Sequence, residues 1–177
     1  AGFSIGVPCF DIARGSADRL FAVAHRILRD VGRAEDAVQQ TLVTAWRELP
    51  ALREPERFEA WLHRILVHAC YDEAKRASKW SAKVVALPLD GPATRDTTQD
   101  IVTRDALDRG FRRLPPEQRA AFVLHHYLGW SVAEIAENLG VPSETIKSRL
   151  RYATSTLRAA IDADSRSTST TPLERMA

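Results

Sequence analysis

Cysteine is nearly missing from this chain: of 177 residues only Cys9 and Cys70 carry thiols, and they form no close-spaced motif. A disulfide framework and a paired-cysteine zinc site are therefore not what organises it, and a reduced cytosolic protein is the expectation. Glycine and proline are sparse, 8 and 9 residues, and the prolines fall mostly between apolar periodic stretches. That spacing argues against an all-β chain and for helices with defined breaks. No apolar run approaches the ~18 residues of a membrane span, and the N-terminus lacks the charged start of a signal peptide. Neither charge sign dominates: 25 Lys and Arg against 23 Asp and Glu leave a net +2. So mild a balance does not by itself imply nucleic acid, and any DNA binding must come from local clustering. No internal repeat is present.

What is there is helical periodicity in two blocks. Ala17, Leu20, Phe21, Ala24, Ile27 and Leu28 recur at spacings of three and four, with Asp30 to Gly32 as the stop. A second helix is expected from about Ala34 to Leu49, with Val38, Leu42, Ala45, Trp46 and Leu49 as its apolar positions and Glu35 and Asp36 in its first turn. After a turn-rich Pro50 to Pro55 a third carries Phe58, Trp61, Leu62, Ile65, Leu66, Ala69 and Cys70. Residues 81–100 lose periodicity and gain Pro, Gly and Thr, which reads as a linker. Helices resume at Ile101 to Leu114 and Glu117 to Tyr127, separated by Pro115 and Pro116. The predicted fold is all-α: two small helical domains, 11–80 and 101–163, joined by a flexible linker, with a disordered tail at 164–177.

The most informative stretch is Ser131 to Ile161. Ser131 and Glu134 have capping-box spacing, Gly140 stands where a left-handed residue closes a helix, and Val141-Pro142 makes a short turn into a second helix near Ser143. That is a helix-turn-helix pattern. With Ile146, Leu150, Ala153 and Leu157 inward, about 100° per residue puts Glu144, Ser148, Arg151 and Ser155 outward. Thr145, Lys147, Arg149 and Tyr152 flank them. From Glu144 to Arg158 four basic residues stand against one acid, so the clustering that net charge hides is here. Such side chains hold phosphates and reach base edges. The plainer alternative is a helical hairpin with a solvated basic face.

The first half offers two surfaces. On the third helix Arg57, Arg64, His68, Tyr71 and Lys75 keep one stripe at offsets of 7, 4, 3 and 4, extended by Arg76, Lys79 and Trp80. Cations interleaved with rings suit single-stranded nucleic acid, although a charged stripe alone is also what a solvated face looks like. On the second helix Glu35, Asp36, Gln39, Gln40, Thr44 and Arg47 are poor phosphate binders, and an acidic, polar face beside a basic one fits a protein partner.

Across about Asp11 to Ile161 the chain resembles the extracytoplasmic-function (ECF) sigma factors of the sigma-70 family. The resemblance lies in Ala34-Glu35-Asp36-Ala37-Val38-Gln39, Ala45-Trp46, Arg57-Phe58, Ala60-Trp61-Leu62, Arg64-Ile65 and Asp72-Glu73 before Lys75-Arg76. It continues in Leu114-Pro115-Pro116-Glu117-Gln118-Arg119, Ala133-Glu134-Ile135-Ala136, Leu139-Gly140-Val141-Pro142 and Thr145 to Leu150. It implies a function in transcription initiation. Glu35, Asp36, Gln39, Gln40 and Arg47 would dock on core RNA polymerase, whose two largest subunits are the expected partners. Arg57, Trp61, Arg64, His68, Tyr71, Lys75 and Arg76 would read and open the −10 DNA. Ser143, Glu144, Thr145, Lys147, Ser148, Arg149 and Arg151 would read the −35 element of promoter DNA. An anti-sigma factor is a further expected partner, able to hold the chain at the membrane without its own insertion. No cofactor, metal or catalysis is implied. Ser143-Glu144 stands where many relatives have Glu-Gly, Gln40 and Leu42 replace commoner Glu and Phe, and Pro50 to Glu56 is the least matched stretch.

A linker of about 20 residues has a root-mean-square span of roughly 25 Å and a stretched reach of about 65–70 Å. Promoter elements two helical turns apart lie about 70 Å from each other. Both readers can therefore engage only if something extends the linker, and in the free protein the halves are expected to fold together. Two rivals remain at this point. An enzyme would use His63, His68, His125 or His126, with Asp72 four residues after His68, but no third ligand or H-E-x-x-H accompanies them. A helix-turn-helix repressor independent of core polymerase would explain Ser131 to Arg158 but not the Ala34 to Trp46 segment.

Overall fold

Helix α1, Pro8–Leu28, turns its Leu20, Val23, Ala24, Ile27 and Leu28 inward, each under a tenth exposed. Its end is set by Arg29, whose backbone takes a left-handed φ of 60° while its N–H still donates to the His25 carbonyl. Asp30 then caps the next helix instead of merely ending the first: its backbone is extended and its Oδ1 accepts from the Arg33 N–H at 2.9 Å. Helix α2 accordingly spans Val31–Glu48, starting three residues before the expected Ala34. Glu35 and Asp36 therefore sit past the first turn, and the capping anion is Asp30. Two short 3₁₀ turns, Leu49–Ala51 and Pro55–Arg57, lead into α3, Phe58–Ser81.

The structure, a computed structural model, describes the backbone of residues 8–81 and 98–169 and the side chains of residues 16–79 and 106–163. The linker expected at 81–100 and the tail expected at 164–177 fall mostly outside the described residues, as does the side chain of Cys9. Among the described residues there is no strand, and no helix is long and apolar enough to cross a membrane.

The second half consists of α4 (Thr98–Arg113), α5 (Pro116–His126), α6 (Val132–Leu139) and α7 (Ser143–Ser169). Pro116 occupies the first turn of α5, where its missing N–H costs nothing. Helix α7 runs on to Ser169, past the end expected near Ile161. It is the spine of this half: α4, α5 and α6 all pack on it. Leu114, Ala153 and Leu157 are buried there against Leu107, Phe111 and Phe122.

In the first half, small residues let three helices approach closely. Ala34, Ala37, Val38 and Thr41 of α2 meet Ala24 and Ile27 of α1 and Leu66, Val67 and Cys70 of α3 in one core. Buried Thr41 donates its hydroxyl to the Ala37 carbonyl at 2.6 Å, so the polar group costs little. This core does not stop at the first half. It continues through Ala120, Val123, Leu124, Ile135, Leu139 and Ile146, because α1 packs on α5, and α3 packs on α5 and α6. The halves are folded together along this seam, as the reach of the linker led one to expect.

Candidate nucleic-acid interface

The helix-turn-helix is assembled as its residues dictate. The Ser131 hydroxyl accepts from the Glu134 N–H at 3.2 Å, while Glu134 Oε2 accepts from the Ser131 N–H at 2.7 Å. These bonds hold the Glu134 carboxyl below its ordinary pKa. Gly140 ends α6 with φ 65° and ψ 35°, a conformation that costs an L side chain ~1 kcal/mol or more. Val141 N–H reaches back to the Ala136 carbonyl at 3.0 Å, and Thr145 N–H takes the Pro142 carbonyl at 2.9 Å, which starts α7. Ile135 and Ile146, both fully buried, lock α6 against α7.

On the outer side of α7, Ser143, Glu144, Lys147 and Arg151 are exposed, and Thr145, Ser148 and Arg149 are half-buried. Lys147 Nζ holds Glu144 Oε1 at 2.6 Å, which keeps that carboxyl charged and leaves Arg151 as the less encumbered cation. The Arg151 guanidinium carbon lies 5.8 Å from the centre of the exposed Tyr152 ring. Arg149 differs in being half-buried, with the Tyr71 phenol of the first half within its electrostatic reach.

The stripe on α3 is divided in the same way. Arg64, His68, Lys75 and Arg76 are open to solvent. Arg76 pairs with the buried Glu73 of its own helix. Arg57 lies in the 3₁₀ turn ahead of α3, and its guanidinium bridges Glu54 at 3.7 Å and, across the seam, Glu137 of α6 at 2.5 Å. Trp61 is half-buried and tilts against Phe58 with centroids 5.8 Å apart. Tyr71 meets His68 edge-on at 6.3 Å, and burial pushes its phenol pKa up to about 12. Six of the seven expected residues lie on α3 and Arg57 in the turn before it; Tyr71 is half-buried, and exposed Arg57 is tied to Glu137 of the second half.

On α2, Glu35, Asp36, Gln39, Gln40 and Arg47 are all exposed. Gln40 Nε2 donates to Thr44 Oγ1 at 3.2 Å, which orders part of that face. Two residues of this face were not foreseen. Trp46, expected on the apolar side, is 65% exposed, and Val43 is 45% exposed. The signal was present in the spacing: Asp36, Gln39, Gln40, Val43, Trp46 and Arg47 recur at threes and fours.

The histidines are engaged in ordinary ways. His63 Nδ1 and His125 Nδ1 bond the Glu59 and Trp130 carbonyls at 2.8 and 2.6 Å, and His126 lies on the Phe122 ring. No group of three or more metal-ligating side chains occurs among the described residues.

Comparison with known proteins decides what this arrangement is. The family model described as Sigma-70 region 2 matches residues 12–80, and that described as Sigma-70, region 4 matches residues 104–156. The ECF RNA polymerase sigma factor SigM of Mycobacterium tuberculosis is 38% identical over 144 residues, covering 77% of this chain and 72% of SigM. This chain belongs to the ECF sigma factors. SigL of the same organism is 34% identical over 145 residues, covering 78% of this chain and 80% of SigL. Among solved structures, the sigma factor RpoE of Bartonella quintana, in complex with the anti-sigma factor NepR, superposes with a TM-score of 0.66 at 25% identity over 87% of this chain and 98% of that one. CnrH, in complex with the cytosolic domain of CnrY, shares the fold with a TM-score of 0.61 at 24% identity, covering 88% of each. The protein is an RNA polymerase sigma factor that acts in transcription initiation, and nothing in the comparisons favours a polymerase-independent repressor.

Proposed function

We propose a division of labour along the chain: 11–80 as the polymerase clamp and −10 reader, 81–100 as the connection, 101–163 as the −35 reader, and the remainder as a tail. The clamp is the outer face of α2, where Glu35, Asp36, Gln39, Gln40 and Arg47 surround the exposed apolar side chains Val43 and Trp46. An exposed tryptophan within a polar rim is what a protein-binding hot spot looks like, and it carries this reading. The −10 reader is Arg64, His68, Lys75 and Arg76, completed by Arg57, Trp61 and Tyr71. Cations there hold the backbone while rings stack on unpaired bases. The −35 reader is the outer side of α7 from Ser143 to Arg151.

The energetics place the act in the complex. Separating DNA strands costs about 1.4 kcal/mol per stacked step, and extruding one base costs a few kcal/mol more. One small basic face does not cover several such steps, so the free chain binds duplex promoter DNA weakly and polymerase supplies the remaining contacts. The chain works as a regulator in the cytoplasm and not as an enzyme. The solved relatives RpoE and CnrH are held by NepR and CnrY, which supports an anti-sigma partner for this chain as well.

Run-off transcription with core polymerase on a genomic fragment library, beside a pull-down of core polymerase, tests the assignment. Trp46→Ala should lose core binding by roughly tenfold or more with an unchanged unfolding midpoint, because the ring is exposed. Arg151→Ala should keep core binding and lose roughly tenfold at −35-dependent promoters. Wild-type retention of core polymerase by Trp46→Ala would refute the clamp.

A further inference from the structure

The outward stripe of α7 does not end at Arg151. A step of seven residues brings a helix back to within about 20° of the same direction, so Arg158 continues the line of Glu144 and Arg151. Along this line Arg151, Thr154, Ser155 and Arg158 are all exposed, and they form one wall of an open groove of about 620 Å³. The other wall is His125 and His126 at the end of α5, which packs on α7. His125 is held by the bond of its Nδ1 to the Trp130 carbonyl at 2.6 Å, and His126 by the Phe122 ring, with centroids 4.3 Å apart. Leu150 and Ala159 add apolar surface.

The charge in this groove is uncommitted. Arg29, Arg57 and Arg76 are each tied to a carboxylate, whereas neither Arg151 nor Arg158 is in an ion pair among the described residues. Burial and the neighbouring His125 hold the His126 imidazole below its ordinary pKa, so at neutral pH it contributes ring surface and not charge. Two guanidiniums beside two hydroxyls, with Asp162 as the one acid of the lining, select an anion, and the planar guanidinium fork matches phosphate. Spacing and shape say which phosphate. Arg151 and Arg158 stand about 10.5 Å apart along the axis. Over that distance one strand of a duplex presents about three phosphates. A free nucleotide needs a pocket that buries most of its surface, and this groove lies open along about three turns of helix. Leu150 and Ala159 suit the sugars between the phosphates.

We propose that this groove is a sequence-independent anchor for the sugar-phosphate backbone of the duplex beside the −35 element, with Arg158 as its principal cation and Thr154 and Ser155 donating to phosphate oxygens. The anchor rests on α7 meeting duplex DNA, but not on which bases the segment from Ser143 to Arg151 recognises. Its signature differs from that of a base reader. Loss of a backbone cation weakens binding equally on every sequence and releases fewer counterions, whereas loss of a base contact relaxes preference at one position.

The test is fluorescence anisotropy of the full chain with a fluorescein-labelled, mixed-sequence duplex of about 30 bp, titrated between about 25 and 150 mM KCl. Arg158→Ala should weaken binding roughly fivefold at the lowest salt and flatten the plot of log K against log salt by about 0.9, and Arg158→Lys should restore most of that slope. Arg158 is exposed and both replacements are good helix formers, so the fold is kept. Unchanged affinity and slope in Arg158→Ala would overturn the anchor, as would an absence of duplex binding by wild type at about 25 mM KCl. If Arg158→Ala instead loses binding of ATP, or retention of core polymerase, while duplex binding stays intact, the groove holds a free nucleotide or a protein and the anchor is again overturned. Failure of the −35 reader looks different: wild type would bind a promoter fragment and the mixed duplex equally, with the slope change in Arg158→Ala still present and the anchor supported.

Discussion

Gly110 lies in the interior of α4, where glycine is a poor choice on helix propensity alone. The reason is the crossing with α7. A Cβ at this position would stand 3.0 Å from Leu157 Cδ2, 3.1 Å from Ala160 Cβ and 3.6 Å from Leu157 Cα. The Leu157 methyl can swing aside, but the Ala160 Cβ is fixed to the α7 backbone, so relief requires the two helices to separate by a few tenths of an ångström. Gly110→Ala gains about 1 kcal/mol of helix propensity. Overpacking a tight core position costs about 1–3 kcal/mol. The contact should win by about 1 kcal/mol, lowering Tm by roughly 2–4 °C in a chain of this size. Gly110→Val adds two further methyl groups in the same space and should cost about 3 kcal/mol. Urea unfolding followed by circular dichroism reads both as a lower midpoint with an unchanged slope. Stabilisation of the Ala variant by about 1 kcal/mol would show that propensity acts alone and that α4 and α7 do not approach this closely.

Ser131→Ala removes the hydroxyl from the capping box and should cost about 1 kcal/mol in urea unfolding, with loss of −35-dependent transcription only as stability falls. Glu134 has its pKa depressed by the same box, so its contribution is present above the unfolded carboxylate pKa and is lost as pH falls through the lower folded value. Between neutral pH and pH ~4, wild type should therefore lose more stability than Glu134→Ala, and equal losses would show that the box is not formed. Cys70 is fully buried with its thiol pKa pushed up to about 12 by burial and by Glu73. At pH 8 that leaves a thiolate fraction of ~10⁻⁴ against roughly a quarter for a free thiol, so in a Cys9→Ser chain iodoacetamide should label Cys70 only after unfolding.

What could be read from the sequence was what neighbouring residues decide among themselves. Ser131, Glu134, Gly140 and Pro142 lie within twelve residues and specify caps and a turn by their own chemistry, so the helix-turn-helix was legible nearly to the residue. The start of α2 was not, because Asp30 served equally well as a stop for α1, and the left-handed Arg29 that separates the two helices leaves no mark in composition. Trp46 was misplaced because an aromatic in an apolar rhythm reads as core. Yet it stands nine residues after the buried Ala37, half a turn away at about 100° per residue. The division of the α3 stripe was invisible for a different reason. Exposed Arg57 is tied to Glu137 of α6 and Tyr71 is half-buried, and no local pattern in α3 records what a distant half will lay against it.

The faces differ in what closure does to them, and that difference orders the events of initiation. The α2 face with Val43 and Trp46 stays open while the halves are together, so polymerase can take hold of the closed chain. On the proposed −10 face Tyr71 is half-buried and exposed Arg57 is tied to Glu137 of the second half. Promoter elements about 70 Å apart also cannot both be read by halves in contact. On the proposed assignment, docking through α2 comes first and parting of the halves second, with promoter reading as the result.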